Sequence, residues 1–111
     1  MQRDRILITE MIDAATRILA ITAGASIDEI ASDANTRDAL LWNFTVLGEA
    51  ANQVKQETRQ LHESVGWSDP IRLRNRIMHA YSSIDLNVLI VAAEIDVPIL
   101  LAKLVTIENT L

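Results

Sequence analysis

The sequence predicts an all-α fold, an antiparallel bundle of four main helices and one short one, without strands. Two observations carry this. Apolar residues recur at three- and four-residue spacing over most of the 111 positions, the period of a helix with one buried face. Only three glycines and two prolines are present, whereas a sheet-rich fold needs a turn roughly every 8–12 residues. Half of the residues are hydrophobic and 23% are charged, which excludes a disordered, collagenous or low-complexity chain.

The first helix is expected from about Asp4 to Ala23. Leu7, Met11, Ala14, Ile18 and Ile21 form its apolar face, and Gly24 follows as its C-terminal stop. Ser26 then caps a short turn, Ile27 to Ala31, with Glu29 in the capping-box position. Asn35 or Thr36 can cap the next, long helix. Its stripe is Leu40, Phe44, Leu47, Ala51, Val54 and Leu61, interrupted only by Thr58. Gly48 lies beside that stripe. It costs about 1 kcal/mol relative to alanine, which suggests a close helix crossing there.

Gly66 ends that section. Ser68 or Asp69 caps the following helix, Pro70 suits its first turn, and Arg72 to Met78 continue it. Tyr81-Ser82-Ser83 is a connection, and Ser83 or Asp85 starts the last helix. That helix carries two apolar stripes. One is Leu86, Leu89, Ala93, Val97, Leu100 and Leu104; the other is Val88, Val91, Ile95, Ile99 and Ala102. A helix apolar on most of its girth is buried on more than one side. One small bundle cannot cover it all, so a subunit interface is expected. Pro98 should kink or divide it, since an interior proline removes a backbone hydrogen bond.

A mass of 12.3 kDa, with no repeat and no linker, fits a single domain over residues 1–111. There is no cysteine, so disulfides, thiolate metal sites and cysteine nucleophiles are excluded. Ten basic and fifteen acidic residues give a net charge of −5, the wrong sign for a non-specific nucleic-acid binder. The charge is uneven, however. Residues 1–34, 35–70 and 85–111 sum to −3, −2 and −3, while residues 71–84 carry Arg72, Arg74 and Arg76 and no acid, a local +3. No signal-peptide core follows the N-terminal charges, and Leu86 to Leu104 is too interrupted by polar residues to span a membrane. A cytoplasmic location is the default.

Most motifs that carry chemistry are missing. The glycines at 24, 48 and 66 are isolated, so there is no phosphate loop. His62-Glu63 has no second histidine four residues on, and two histidines without cysteine make a metal site unexpected. Glu49 beside Gly48 could face a cleft, although a lone helical acid is more often solvated or paired. What remains is Arg74-Asn75-Arg76-Ile77-Met78-His79-Ala80-Tyr81, with Arg72 just upstream. Arginine matches the bidentate geometry of phosphate. Histidine transfers protons at neutral pH. The plainer reading is a solvated helix face with one satisfied histidine.

Arg74-x4-His79 with Asn75 after the arginine resembles the signature of HEPN-domain ribonucleases, and the trailing x-Tyr81 resembles the HepT toxin family within them. Leu47-Gly48-Glu49-Ala50-Ala51 is similar to that family's Gly-Glu-Ala element. Trp67, Ile71 and Arg74 have its spacing, and Ile84-Asp85-Leu86 followed by Asp96-Val97-Pro98 is similar to its C-terminal segment. These elements run in order from about residue 47 to residue 98. Ala80 is a departure, since many relatives have glycine there.

The resemblance implies a HEPN-like homodimer with an RNA-cleaving cleft lined by both copies of the motif. Arg74 would neutralise the scissile phosphate, His79 would act as general base or acid, and Asn75 would orient the histidine or a phosphate oxygen. Arg72 and Arg76 would bind flanking phosphates. Neither cofactor nor metal is expected. Tyr81 would be the acceptor of AMP groups from a minimal nucleotidyltransferase antitoxin, making this chain the toxin of a type VII toxin–antitoxin pair. The alternative is a catalytically inert helical dimer that binds a nucleotidyltransferase. On a regular helix Arg74 and His79 sit about 140° apart, so either the helix loosens, the arginine reaches around, or two copies share one cleft.

Overall fold

A computed structural model describes residues 2–111. The chain is 83% helical with no strand among the described residues. Seven α-helices follow in order: α1 (Gln2–Thr22), α2 (Ile27–Ser32), α3 (Ala34–Gln53), α4 (Gln56–Leu61), α5 (Ser68–His79), α6 (Leu86–Val91) and α7 (Val97–Glu108). A 3₁₀ turn, Glu63–Val65, lies between α4 and α5.

The core forms where α1 packs on α3 and α7, and α3 packs on α5. Thr9 near the start of α1 donates to Glu108 at the end of α7, and Arg3 donates to Gln53 at the end of α3. Both neighbours of α1 are therefore antiparallel to it. Leu7, Met11, Ala14 and Ile18 are buried as the sequence spacing predicts, as are Leu40, Phe44, Leu47, Ala51 and Val54. The turn into α2 is closed by a reciprocal cap, with the Glu29 N–H donating to Ser26 Oγ and the Ser26 N–H donating to Glu29 Oε1.

Three local expectations are corrected. The cap of α3 is Asp33, which accepts from the Asn35 N–H and the Thr36 hydroxyl, so Asn35 and Thr36 are donors to the cap. No side chain caps α5. Gly66, at φ 75°, turns the chain so that Trp67 enters the helix by its backbone alone. The long helix also stops earlier than its stripe suggests: the backbone extends at Val54 and Lys55 before α4 begins. The cause is Asp4, fully buried, which accepts from the Lys55 N–H at 3.3 Å and from Thr58 Oγ1 at 2.5 Å. The break rotates Leu61 out of the stripe, leaving it 78% exposed.

Asp85 caps α6 by accepting from the Asn87 N–H. The helix then runs on into α7 through a wider turn, Ala92–Asp96, in which the Val97 N–H reaches the Ala92 carbonyl five residues back. Pro98 follows at the second position of α7. The extra residue absorbs the missing proline N–H without breaking the rod. Of the two stripes on this rod, Leu89, Ala93, Val97, Leu100 and Leu104 are buried in the core. In the other stripe, Val91, Ile95 and Ile99 stand 52%, 58% and 55% exposed. No helix among the described residues is long and apolar enough to cross a membrane.

Candidate active site

The Arg–His motif occupies the second half of α5. That helix crosses α3 so closely at Gly48 that a side chain there would meet Arg74 Cβ at 2.3 Å and the Pro70 carbonyl oxygen at 2.4 Å. The expected close crossing is thus present, and glycine is the residue it needs. One consequence is electrostatic. With α3 this near, Glu49 Oε2 reaches Arg74 Nη2 at 2.5 Å. The pair is half-buried, the arginine side chain 21% exposed and the carboxylate 42%.

Arg74 Nη1 donates to Asn75 Oδ1 at 2.8 Å. Its Nε is enclosed and has no partner among the described residues. The guanidinium is therefore held on both sides, by Glu49 from α3 and by Asn75 from its own helix.

Asn75 and His79 line an open groove between α5 and α6, together with Arg72, Arg76, Asn87, Val88 and Val91. Arg74 is not among the groove residues. The structure so brings Asn75, His79, Arg72 and Arg76 into one groove and leaves Arg74 at its edge, joined to it through Asn75. Arg72 pairs with Asp69 one turn before it, while Arg76 makes no ion pair among the described residues. Arg76 and His79 stand in the last turn of α5, where the Arg76 guanidinium complements the helix dipole.

Tyr81 lies beyond the end of α5, and its side chain reaches the start of α3. Its hydroxyl donates to Asp38 Oδ1 at 3.2 Å. Arg37 Nη2 donates to its carbonyl at 2.9 Å, and the Arg37 guanidinium lies 5.8 Å from the ring centroid. The residue remains 46% exposed. Partial desolvation, the hydrogen bond to Asp38 and the charge of Asp38 push the phenol above its usual value of 10.0, against the pull of Arg37. Sequence reasoning did not single out Arg37 or Asp38, because nothing local ties them to a tyrosine more than forty positions on. Glu49 stands out in the sequence as an acid that could face a cleft and as part of the Gly-Glu-Ala element, but its pairing with Arg74 does not.

No group of three histidine, aspartate or glutamate side chains among the described residues is placed to hold a metal ion. The groups available for chemistry are a guanidinium, an amide, an imidazole and a phenol.

Residues 11–107 match the profile of the family described as HepT-like, ribonuclease HepT-like. The chain belongs to this family. Among curated proteins, it is 26% identical over 94 residues to a "Probable ribonuclease HepT" of Thermococcus cleftensis, covering 85% of this chain and 86% of that one. It is 25% identical over 89 residues to a candidate RNase of Methanocaldococcus jannaschii, covering 80% of this chain and 82% of that protein. A second candidate RNase of that organism is 24% identical over 85 residues, covering 77% of this chain and 70% of the relative. No solved structure matches. The resemblance read from Arg74, His79 and Tyr81 therefore extends over most of the chain.

Proposed function

We propose that the chain, one domain over residues 1–111, is the ribonuclease toxin of a type VII toxin–antitoxin pair. It cleaves cytoplasmic RNA as a homodimer and without a metal. The observation that carries this is the Arg74 Nη1 to Asn75 Oδ1 contact. It ties the guanidinium to Asn75, which lines the groove together with His79, and so links Arg74 to that groove despite the 140° or so between positions 74 and 79 on the helix. Family membership and the names of the relatives support a nuclease.

In this reading Arg74 contacts the non-bridging oxygens of the scissile phosphate and stabilises the charge that grows on them. His79 accepts the proton of the ribose 2′-OH as that oxygen attacks phosphorus, and the 5′-oxygen leaves with a proton from a general acid. The products are a 2′,3′-cyclic phosphate and a 5′-hydroxyl. Arg72 and Arg76, on the same groove, hold neighbouring phosphates. A second copy docks on the exposed row Val91, Ile95 and Ile99, supplying the burial that one chain does not. Tyr81 is the acceptor for AMP from a nucleotidyltransferase antitoxin. A bulky, charged adduct there hinders RNA from approaching the motif.

The inert-dimer reading is favoured by one observation, the Glu49–Arg74 pair, which is how a purely structural arginine would be held. Incubating the purified chain with single-stranded RNA and a metal chelator separates the two. Cleavage should persist with chelator, and His79→Ala should slow it about 100-fold or more with little change in KM. A wild-type chain that leaves RNA intact with and without divalent cations would establish the inert dimer.

A further inference from the structure

The clamp around Tyr81 has a chemistry of its own. A phenol is protonated at neutral pH and is a weak nucleophile until a base takes its proton. Such a base must lie within about 2.6–3.2 Å of the oxygen. Asp38 Oδ1 lies at 3.2 Å from the Tyr81 hydroxyl, on a side chain that is itself exposed. Arg37 fixes the backbone of the same residue at 2.9 Å and covers one side of its ring. The turn that carries Tyr81 is thus tied to the first turns of α3 at both its main chain and its hydroxyl, while nearly half of the tyrosine surface stays open to a partner.

We infer that Asp38 is the proton acceptor for nucleotide transfer to Tyr81, and that Arg37 holds the tyrosine in the accepting pose, so that part of the machinery for the modification resides in the modified chain. This rests on the reading of Tyr81 as the AMP acceptor. In the transfer, the phenol oxygen attacks the α-phosphorus of ATP and a new O–P bond forms. The bond from that phosphorus to the oxygen bridging to the β-phosphate breaks, and pyrophosphate leaves. The phenol proton passes to Asp38 and then to water. Arg37 remains as a cation beside the new phosphodiester, balancing its charge.

Asp38 also discourages the free phenolate, since a carboxylate next to the phenol opposes a second negative charge. The proton therefore leaves only as the O–P bond forms, as general-base assistance requires. Asp38 and Arg37 are the charged groups acting on this phenol, and both belong to α3.

The test compares wild type with Asp38→Asn, an isosteric change at an exposed position that keeps an acceptor oxygen but cannot take a proton. Each chain is incubated with ATP and a minimal nucleotidyltransferase, and AMP incorporation is followed by intact mass across a pH series. The circular dichroism melt is recorded alongside. The expected result is a wild-type rate nearly flat between about pH 6 and pH 8. Asp38→Asn should melt like wild type, incorporate AMP about 100-fold more slowly at neutral pH, and gain rate as pH rises. Equal rates and equal profiles in the two chains would overturn the role of Asp38 while leaving Tyr81 as acceptor. No AMP on the wild type, or equal incorporation in Tyr81→Phe, would overturn the acceptor reading itself.

Discussion

The Gly48→Ala substitution tests the geometry on which the site depends. Its methyl carbon would lie 2.3 Å from Arg74 Cβ and 2.4 Å from the Pro70 carbonyl oxygen. Carbon atoms rest at about 3.5–4.0 Å from one another, so the contact with Arg74 Cβ is more than about 1 Å too short, and the one with the smaller carbonyl oxygen is also well inside any tolerated approach. Neither obstacle can rotate away, because one is a main-chain oxygen and the other the first atom of a side chain. Helices α3 and α5 must separate by about 1 Å instead. Overpacking costs about 1–3 kcal/mol, with rigid obstacles toward the upper end. Alanine returns about 1 kcal/mol through its better helix propensity. The net expectation is a loss of about 2 kcal/mol, or about 8 °C in Tm at roughly 4 °C per kcal/mol for a chain of this size. Separation also pulls Glu49 from Arg74, so RNA cleavage should fall at temperatures where the variant is still folded. Thermal and urea melts check the first claim and a single-stranded RNA assay the second. A Gly48→Ala chain that melts at or above the wild-type temperature would refute the reasoning, since propensity would then outweigh the crossing.

Three further outcomes are expected. Asp4→Ala strips a buried carboxylate from the Lys55 N–H and the Thr58 hydroxyl, and urea melts should show a loss of about 1–3 kcal/mol. Ile95→Glu changes an exposed position, so monomer stability should move by less than about 0.5 kcal/mol, while light scattering should show the proposed homodimer in the wild type and a monomer in the variant; a variant dimer would place the interface elsewhere, and a wild-type monomer would overturn the dimer. Bonds from the Ser26 backbone and hydroxyl lower Glu29 from 4.5, and bonds from the Thr36 hydroxyl and backbone, then the Asn35 N–H, lower Asp33 from 3.8. A carboxylate whose folded value is depressed stabilises the fold above its unfolded value, and that contribution is lost as pH falls through the folded one. Melts of Asp33→Asn should therefore differ from wild type at neutral pH and converge with it in acid.

The parts of this fold legible in the sequence are those governed by neighbours a few residues apart. The stripe of α1, the Ser26–Glu29 capping box, the cap at Asp85 and the irregular turn ahead of Pro98, which widens the helix where the sequence predicts a kink or division, each depend on residues within about a turn or two. The end of α3 does not. No glycine or proline marks Val54, and the break is set by Asp4, fifty-one positions earlier in sequence from the Lys55 N–H it accepts. The site divides in the same way. Arg74, Asn75, His79 and Tyr81 stand out because they are adjacent in sequence. The directions of Arg74 and Tyr81 are decided by α3, through Gly48 and Glu49 for Arg74 and through Arg37 and Asp38 for Tyr81. Gly48 and Glu49 signal a close crossing and a family element but not which side chain they meet, and the Arg37-Asp38 pair carries no signal of its own until the fold places Tyr81 against it.

The local charge of +3 over residues 71–84 takes on a different meaning once each arginine is placed. Arg72 is balanced by Asp69 and Arg74 by Glu49, so among the described residues the island as folded leaves one guanidinium without an ion pair, Arg76, for the RNA backbone of the proposed substrate. In a chain of net charge −5, long-range attraction for RNA is accordingly weak, and binding must come from contacts made at close range. A phosphate entering the groove has to take Arg74 from Glu49 or share it. Sharing is feasible, because a guanidinium carries five N–H donors and Glu49 and Asn75 occupy different terminal nitrogens. In the proposed reading the acid holds the arginine in position before the RNA arrives, at the expense of some affinity for it. An arginine kept still in this way contributes more to the transition state, where phosphate charge is greatest, than to the ground state. The Glu49–Arg74 pair that makes the motif look structural is therefore also what a preorganised phosphate site requires.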